Sequence, residues 1–461
     1  MAIQKTISPV DGSVYVEREQ ADSALVEATL ARSLTAQRAW RDVPLSERAR
    51  FCSRMVDAFV ARRDALAEEL TWQMGRPIAA AAGEVGGFEE RARTMIALAD
   101  EALAPIVLGD KPGFSRYITR EPLGVSFIVA PWNFPFMTAV NAVVPAIMAG
   151  NTVILKHSAQ TPLCAERFQQ AFDEAGLPEG VFQHLHLSHD ATEGLIQDRR
   201  IAHVSFTGSV PGGEMVERNV AGRFIATGLE LGGKDPAYIR ADVDLDTAVD
   251  GVMDGAFFNS GQSCCGIERL YVHRDIHDAF VERAVAWVRQ LRLGNPTDPA
   301  TTLGPLVRPA AADFVRGQTE EAVAAGAKAW IDPGDYPLSV PGSAYLAPQV
   351  LTGVDHSMRV MTQESFGPVV GIMAVDSDDE AVALMNDSDF GLTAAVFTRD
   401  RAVGEVLARR LEAGTVFTNR CDYLDPELAW TGVKQSGRGC SLSRLGYETL
   451  TRPKSFHLKH A

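Results

Sequence analysis

The chain has 461 residues, 46% apolar and 22% charged, with 59 acidic against 44 basic side chains and a net charge of −15. At about 150 residues per domain this length predicts two to three domains, and so ordinary a balance excludes disordered and fibrous classes. The acidic surplus repels phosphate backbones, which argues against nucleic acid as a partner. Six cysteines in so long a chain make no disulfide framework, and they contain no CxxC pair for zinc. The first twenty residues lack the apolar core of a secretory signal, so the expected compartment is the reducing cytoplasm.

In chain order, residues 21–104 carry Ala, Glu and Arg at helical spacing, in three stretches that end at Trp40, Gly75 and Leu103. From Pro122 to Leu155 there is no Asp, Glu, Lys or Arg. A membrane span needs about 20 unbroken apolar residues, whereas this run is cut by Pro131, Pro135, Pro145, Asn133, Asn141, Asn151 and Gly150. It reads as a buried strand over Gly124–Ala130, a helix over Phe136–Ala149 and a strand over Thr152–Leu155, with no membrane contact.

Strands then follow at His203–Phe206, Phe224–Leu231 and Ala237–Ile239, with helices at Cys164–Ala175 and Gly213–Ala221. A second alternating block runs from Asp246 to about Phe417. Its helices are Asp246–Asn259, Ile276–Leu291, Ala310–Ala325 and Asp379–Met385, and its strands Arg269–Val272, Val369–Ala374 and Ala394–Thr398. Such alternation predicts βαβ units around mostly parallel sheets, an α/β fold. The tail RPKSFHLKHA alternates as an edge strand.

Five segments carry possible chemistry, and each alone supports two readings. FFNSGQSCCG (Phe257–Gly266) offers a turn-borne thiol, or a pair of small core cysteines. LELGGKDP places Glu230 at an apolar strand end, as a base of raised pKa or as a solvated charge. PWNFPF fixes Asn133 in a rigid turn, as an oxyanion donor or merely a turn former. FTGSVPGG is a strand, a Gly-Ser turn and a helix start that could hold phosphate, but the chain has no GxGxxG. TQESFGPVV holds Glu364 and Phe366 in a polar-to-apolar transition.

Together PWNFP, GNTVILK, FTGS with a later glycine, LELGGKDP, FFNSGQSC, ESFGPV and TGVKQSGRG resemble, in identity, order and spacing, the NAD(P)-dependent aldehyde dehydrogenase superfamily over essentially the whole chain. The resemblance implies a Rossmann-type NAD(P)-binding domain (1–104 and 123–232), an α/β catalytic domain (233–436) and a small β oligomerisation arm (105–122 and 437–461), assembled as a homodimer or homotetramer. It implies an enzyme that oxidises a small-molecule aldehyde to the acid through a cysteine hemithioacetal and a thioester hydrolysed by water. Cys264 matches the nucleophile, Glu230 the general base, and Asn133 the oxyanion amide, with the Cys264 backbone N–H as second donor. Lys156 matches the lysine of the adenosine ribose. Trp132, Gly208 and Ser209 match the pyrophosphate site, and Gly213 and Leu231 belong to the same cofactor site. Glu364 matches the ligand of the nicotinamide ribose and Phe366 the residue beside that ring.

Two segments depart from the pattern. Lys156-His157-Ser158-Ala159 stands where Lys-Pro-x-Glu is usual. With Ala159 in place of the ribose-binding glutamate, repulsion of a 2′-phosphate is gone, and Lys156 with Ser158 could bind it, so NAD or NADP is expected. The usual Pro-Phe-Gly-Gly is Ala429-Trp430-Thr431-Gly432, bordering the substrate entrance with Arg420 and Tyr423. Phe134, Thr138, Asn141, Phe258 and Cys265 are channel positions. No metal site is expected: HLHLSH (His184, His186, His189) lacks a cysteine or carboxylate partner, and ADVDLDTAVD reads as a capped helix start. The alternatives are a CoA-acylating dehydrogenase, disfavoured by Glu230, and a cysteine-dependent ester or thioester hydrolase.

Overall fold

The computed structural model describes residues 2–460. The chain begins with an antiparallel hairpin, β1 (Ile3–Ile7) and β2 (Val14–Glu19). The sequence reading assigns no strand here, and β1 shows why. It buries Gln4 and Thr6 and exposes Ile3 and Ile7, the reverse of apolar-in alternation. Gln4 and Thr6 donate instead to the Ala159 carbonyl, at 3.4 and 2.8 Å.

Helices α1 (Ser23–Trp40), α2 (Leu45–Val60), α3 (Arg63–Met74) and α4 (Ile78–Ala102) follow. The single helix expected after Asp42 is two, broken at Ala61–Arg62, where Arg62 (φ −106°, ψ 17°) leaves helical geometry. Next come β3 (Ile106–Val107) and β4 (Phe114–Pro122). They form a three-stranded antiparallel sheet with Thr451–Lys459, the edge strand expected at the tail.

The charge-free run is β5 (Val125–Ala130), α5 (Pro135–Met148) and β6 (Thr152–His157), almost wholly buried. No helix among the described residues is long and apolar enough to cross a membrane. The first α/β block is completed by α6 (Pro162–Glu174), β7 (Phe182–His184), α7 (His189–Gln197), β8 (Ile201–Thr207), α8 (Val210–Val220) and β9 (Ala226–Glu230). Its parallel strands run in the order β9-β8-β5-β6-β7. Gly437–Arg438, expected in the arm, pairs antiparallel with the outer edge of β9. HLHLSH is strand only as far as His184; His186 bonds Glu166 at 3.1 Å, and no metal-binding group of His, Cys, Asp or Glu occurs among the described residues.

The second block opens with β10 (Asp235–Ile239), α9 (Leu245–Phe257), capped by Asp244, and β11 (Ile267–His273). Six strands of its seven-stranded sheet are parallel: Gln349–Thr352, Val369–Val375, β11, β10, Thr393–Phe397 and Thr415–Thr418, in that spatial order. In the first sheet the strand order reverses once, between β5 and β8; in the second it turns at Val369–Val375 and again between β10 and Thr393–Phe397. Ligands of open α/β sheets sit outside the carboxyl ends of the strands at such a reversal. The loops after β5 and β8 lead there from the first sheet.

The largest core packs α2, α4, α5 and α6 through Phe59, Phe88, Phe136 and Phe168. Its position matters to the site, because it fixes the first turn of α5 directly behind the Pro131–Pro135 turn.

Candidate active site

Between α9 and β11 the chain makes a tight excursion that ends at Cys264. Asn259 (φ 53°) and Ser260 (φ 57°) both take left-handed backbone, which costs a non-glycine residue on the order of 1–3 kcal/mol. Surrounding bonds impose it. Asn259 Nδ2 donates to the carbonyls of Gln262 (3.1 Å) and Asn133 (3.3 Å). Ser260 Oγ donates to the Gly304 carbonyl at 2.9 Å, and the Val307 N–H donates to Gln262 Oε1 at 2.8 Å. Gly261 (φ +72°) approaches the Gly367 carbonyl so closely that no Cβ would fit. The helix expected to reach Asn259 therefore ends at Phe257.

The excursion delivers Cys264 into a cavity of about 170 Å³ lined by Pro131, Trp132, Asn133, Thr207, Gly208, Ser209, Glu230, Leu231, Gly232, Cys264, Glu364 and Phe366. It brings together every expected site residue except Lys156, Ser158 and Gly213. Asn133 Nδ2 gives one hydrogen to the Gln262 carbonyl at 3.3 Å, and an amide carries two. Cys265 does not line that cavity: it is buried, its Sγ donates to Asp422 Oδ1 at 2.9 Å, and its bond to the neighbouring Cys264 thiol, burial and the Asp422 carboxyl push its own thiol well above the usual range. Of the two adjacent thiols only Cys264 faces the cavity.

Glu230, at the end of β9, accepts from Ser441 Oγ and from Thr207 Oγ1, the latter at 3.2 Å. Burial holds its carboxyl above the usual carboxylate range against those two bonds. Glu364 is pushed up to about 8, first by burial and then by the Glu268 carboxylate, while the Gly233 N–H donates to it at 3.0 Å. Gly232 lies so close to Glu364 that a Cβ would meet its carboxylate. The loop after Glu364 is pinned by the buried pair Lys234–Glu268. Glu268 accepts from the backbone N–H groups of Ser365 (2.8 Å) and Phe366 (2.9 Å), and Phe366 sits at φ 53°. Its ring meets Trp132 edge-on, centroids 5.6 Å apart.

The residues at the sheet end fit a dinucleotide. Ser209 caps α8, its Oγ accepting from the Gly212 N–H at 3.4 Å, so the helix starts earlier than the expected Gly213. The free amides of that N-terminus favour phosphate. Gly213 is buried behind the wall: a Cβ there would collide with Leu231, so the glycine lets α8 pack against the strand end. Lys156, half-buried on β6, has no hydrogen-bond or ion-pair partner among the described residues, and burial draws its pKa down. Ser158 accepts from the Gln160 N–H at 3.2 Å, in a turn beyond Lys156.

Sequence reasoning missed the residues that hold this arrangement. Arg76, 1% exposed, pairs with the fully buried side chain of Glu84, donates through Nε to Asn259 Oδ1 at 3.1 Å, and donates through Nη2 to the Asn133 carbonyl. Glu84 Oε1 accepts from the first amides of α5, Phe136 (2.9 Å) and Met137 (3.0 Å). Read alone, Arg76 is part of a Gly-Arg-Pro helix stop and Glu84 a helix-surface charge. Ser441, Thr207 and Asp422 were likewise invisible as partners. At the expected entrance Arg420 stacks on Tyr423, 3.6 Å from the ring centroid, and the Tyr423 hydroxyl donates to Glu90 at 2.8 Å.

Residues 2–456 match the sequence profile of the aldehyde dehydrogenase family. The chain is 38% identical over 446 residues, 96% of each chain, to succinate-semialdehyde dehydrogenase (NADP+) 1 of Mycobacterium tuberculosis (strain ATCC 25618 / H37Rv). It is 36% identical over 453 residues to succinate-semialdehyde dehydrogenase (NADP+) of Mycobacterium avium (strain 104), covering 98% of this chain and 95% of that one. Among solved structures, succinic semialdehyde dehydrogenase from Streptococcus pyogenes in complex with NADP+ superposes with a TM-score of 0.94 at 29% identity, covering 99% of this chain and 100% of that one. An aldehyde dehydrogenase from Brucella melitensis biovar abortus 2308 gives 0.95 at 30% identity, covering 100% and 94%.

The Arg76–Glu84 pair generates a test. Removing one partner of a buried pair strands the other charge and costs about 3–5 kcal/mol. Glu84→Gln is therefore expected to lower the melting temperature by several degrees and to reduce kcat, because the Asn133 turn and the Asn259 excursion lose their common anchor. Asp57→Asn, which breaks an exposed pair with Arg93, should change both by little, about 0–1 kcal/mol in stability. Thermal melts and steady-state kinetics on both variants check this.

Proposed function

The chain belongs to the aldehyde dehydrogenase family, and on that premise we propose how this cavity oxidises an aldehyde to the carboxylic acid with NAD(P). The observation that carries the reading is the convergence of Cys264, Asn133 and Glu230 on one cavity beside the glycine-flanked start of α8. The Cys264 thiolate attacks the aldehyde carbon. The second Asn133 Nδ2 hydrogen and the Cys264 backbone N–H stabilise the oxyanion that forms. The nicotinamide cofactor, when bound, supplies the hydride acceptor; Trp132, Gly208, Ser209, Leu231, Glu364 and Phe366 would hold it in the cavity, with Lys156 and Ser158 on its adenosine side. Glu230 then takes a proton from the water that hydrolyses the Cys264 thioester, and the acid leaves. A base beside the thioester favours water over CoA as acyl acceptor.

Succinate semialdehyde, the substrate in the relatives' names, is the first aldehyde to test. NADP is accepted, because Lys156 offers an unpaired cation and Ala159 offers no carboxylate to repel a 2′-phosphate. The domain division we propose is 1–104 with 123–232 for the cofactor, 233–436 for catalysis, and 105–122 with the strand Thr451–Lys459 for the arm, since Gly437–Arg438 pairs with β9 instead. The arm's three-stranded sheet leaves Ile106, Val107 and Leu458 exposed. Edge strands of this kind invite pairing, which supports assembly into a homodimer or homotetramer. Six free cysteines suit a reducing cytoplasm.

Formation of reduced nicotinamide, followed by near-ultraviolet absorbance over an aldehyde panel, tests the chemistry. Cys264→Ala should abolish it, since Cys265 is protonated and bonded to Asp422. Glu230→Gln should give one rapid turnover and then steady turnover slower by about 10²–10⁴-fold. A base works only when ionised and burial raises the Glu230 pKa, so deacylation in the wild type should rise with pH through that raised pKa and level off above it. A rate flat across this range would refute the role.

The cofactor assignment is checked by comparing kcat/KM for NAD and NADP. Comparable values, or a preference for NADP, are expected; strict use of NAD would overturn the argument from Ala159. Assembly is checked by light scattering. The double variant Val107→Lys, Leu458→Lys should run at a lower mass than the wild type, and an unchanged mass would clear the arm of that role.

A further inference from the structure

The proposed chemistry asks more of Cys264 than a thiol in a cavity. Its backbone N–H must face the developing oxyanion while its Sγ faces the aldehyde carbon. Cys264 and Cys265 are the central pair of a turn closed by one bond, from the Gly266 N–H to the Ser263 carbonyl at 3.2 Å. A single net hydrogen bond is a weak restraint on four residues. The side chains on either side of Cys264 supply more. Ser263 and Cys265 are each 3% exposed. Ser263 Oγ donates to Asp422 Oδ1 at 3.1 Å, and Cys265 Sγ donates to the same oxygen at 2.9 Å. Ser263 Oγ and Cys265 Sγ also meet at 3.5 Å, which closes a triangle of polar groups around the nucleophile's two neighbours.

The fold holds Asp422 in its turn. Asp422 (φ 50°) and Asn419 (φ 54°) both take left-handed backbone, which Asp and Asn adopt more readily than other side chains. Asn419 is tied to Thr398, its Oδ1 accepting from the Thr398 N–H and its Nδ2 donating to the Thr398 carbonyl, each at 2.9 Å. Cys421 Sγ donates to the Gly251 carbonyl of α9 at 3.2 Å and lies so close to Gly255 that no Cβ would fit there. Helix α9 therefore leads into the excursion that carries Cys264 and also supports the loop that carries Asp422. Among the described residues no cation lies within ion-pair distance of Asp422. The charged groups in its field are Asp254 of α9 and Arg91 of α4, and Arg91 gives Nη1 to the Met137 carbonyl at 3.0 Å. A recessed carboxylate without a counter-ion is unfavourable unless hydrogen bonds satisfy it, and those it receives come from the two flanks of Cys264.

We propose that Asp422 is a positioning residue for Cys264: one carboxylate oxygen, accepting from the side chains before and after the nucleophile, fixes the direction of the Cys264 N–H and Sγ. This rests on the aldehyde-oxidising reading of the cavity and adds to it the group that aims the nucleophile. Asp422 is not in the cavity wall, so it acts through Ser263 and Cys265 and not on the substrate. Its function is that of an acceptor oxygen, which an amide supplies as well as a carboxylate.

Single-turnover formation of reduced nicotinamide, with NADP and succinate semialdehyde or the fastest aldehyde of the panel, reads the step that needs this aim. Asp422→Ala should slow it at least tenfold, while the Kd for NADP stays within twofold of the wild type. Asp422→Asn keeps an acceptor oxygen and should recover most of the loss. An Asp422→Ala rate equal to the wild type, an Asp422→Asn variant as slow as Asp422→Ala, or a loss of NADP affinity as large as the loss of rate overturns the proposal. If Asp422→Ala fails to fold, the double variant Ser263→Ala, Cys265→Ala leaves Asp422 in place and removes both donors. It should slow the same step at least tenfold, and an undiminished rate overturns the proposal. Labelling separates this outcome from the reading beneath it. Iodoacetamide should modify Cys264 and spare Cys265 in the wild type, assigned from fragment masses, and should modify both in Asp422→Ala. If the wild type oxidises no aldehyde, the aldehyde reading falls; a Cys265 still spared in Asp422→Ala overturns the positioning by itself.

Discussion

The arrangement around Cys264 depends on the ion pair between Arg76 and Glu84, both buried. A guanidinium and a carboxylate out of water gain little net stability over an apolar pair, but they are demanding about geometry. Arg76 spends its remaining donors on Asn259 and on the Asn133 carbonyl, and Glu84 spends its other oxygen on the first amides of α5. Three segments far apart in sequence, the start of α4, the Pro131–Pro135 turn and the excursion at Asn259, are thereby fixed to one another. Left-handed backbone at Asn259 and Ser260 persists because these bonds leave it no alternative.

Around that frame the acidity of each group is set by its surroundings. Glu230, Glu364 and Asp422 are all pushed upward by burial in a protein that already carries a surplus of acid, Asp422 to about 7. Their partners differ and so do their uses. Glu230 is held by two hydroxyls at the edge of the Cys264 cavity, Glu364 rests on a backbone amide beside Gly232, and Asp422 accepts from Cys265 and Ser263. Asp422 thus holds the second thiol, and Cys264 is the one cysteine that lines the cavity.

The first parallel sheet reverses its strand order once, between β5 and β8, and the cavity lies where the loops at that reversal meet the excursion from the second block. Trp132 and Asn133 follow β5, Gly208 and Ser209 follow β8, and Cys264 comes from beyond α9. The lining residues therefore come from both blocks, with Glu364 and Phe366 joining Cys264 from the second, and Lys234–Glu268 and Arg76–Glu84 hold the loops that carry them.

The sequence by itself determined the α/β class, the alternation of buried strands with helices, the reading of the charge-free stretch as protein interior and, through the family resemblance, the candidate residues Cys264, Glu230 and Asn133. Those are local properties: periodicity over ten residues, and short motifs whose spacing is kept by the chain. It did not determine the β1–β2 hairpin, which buries Gln4 and Thr6 against a carbonyl 155 and 153 residues away, nor the break in the second helical run at Arg62. The family resemblance singled out Cys264 over Cys265, but the bond that holds Cys265 to Asp422 was visible only in three dimensions. Arg76 looked like part of a helix stop and Glu84 and Arg91 like helix-surface charges, because a charge is read as solvated until its neighbours are known. Burial and counter-charge are properties of three-dimensional surroundings, so the tertiary structure alone decided which charges support the site.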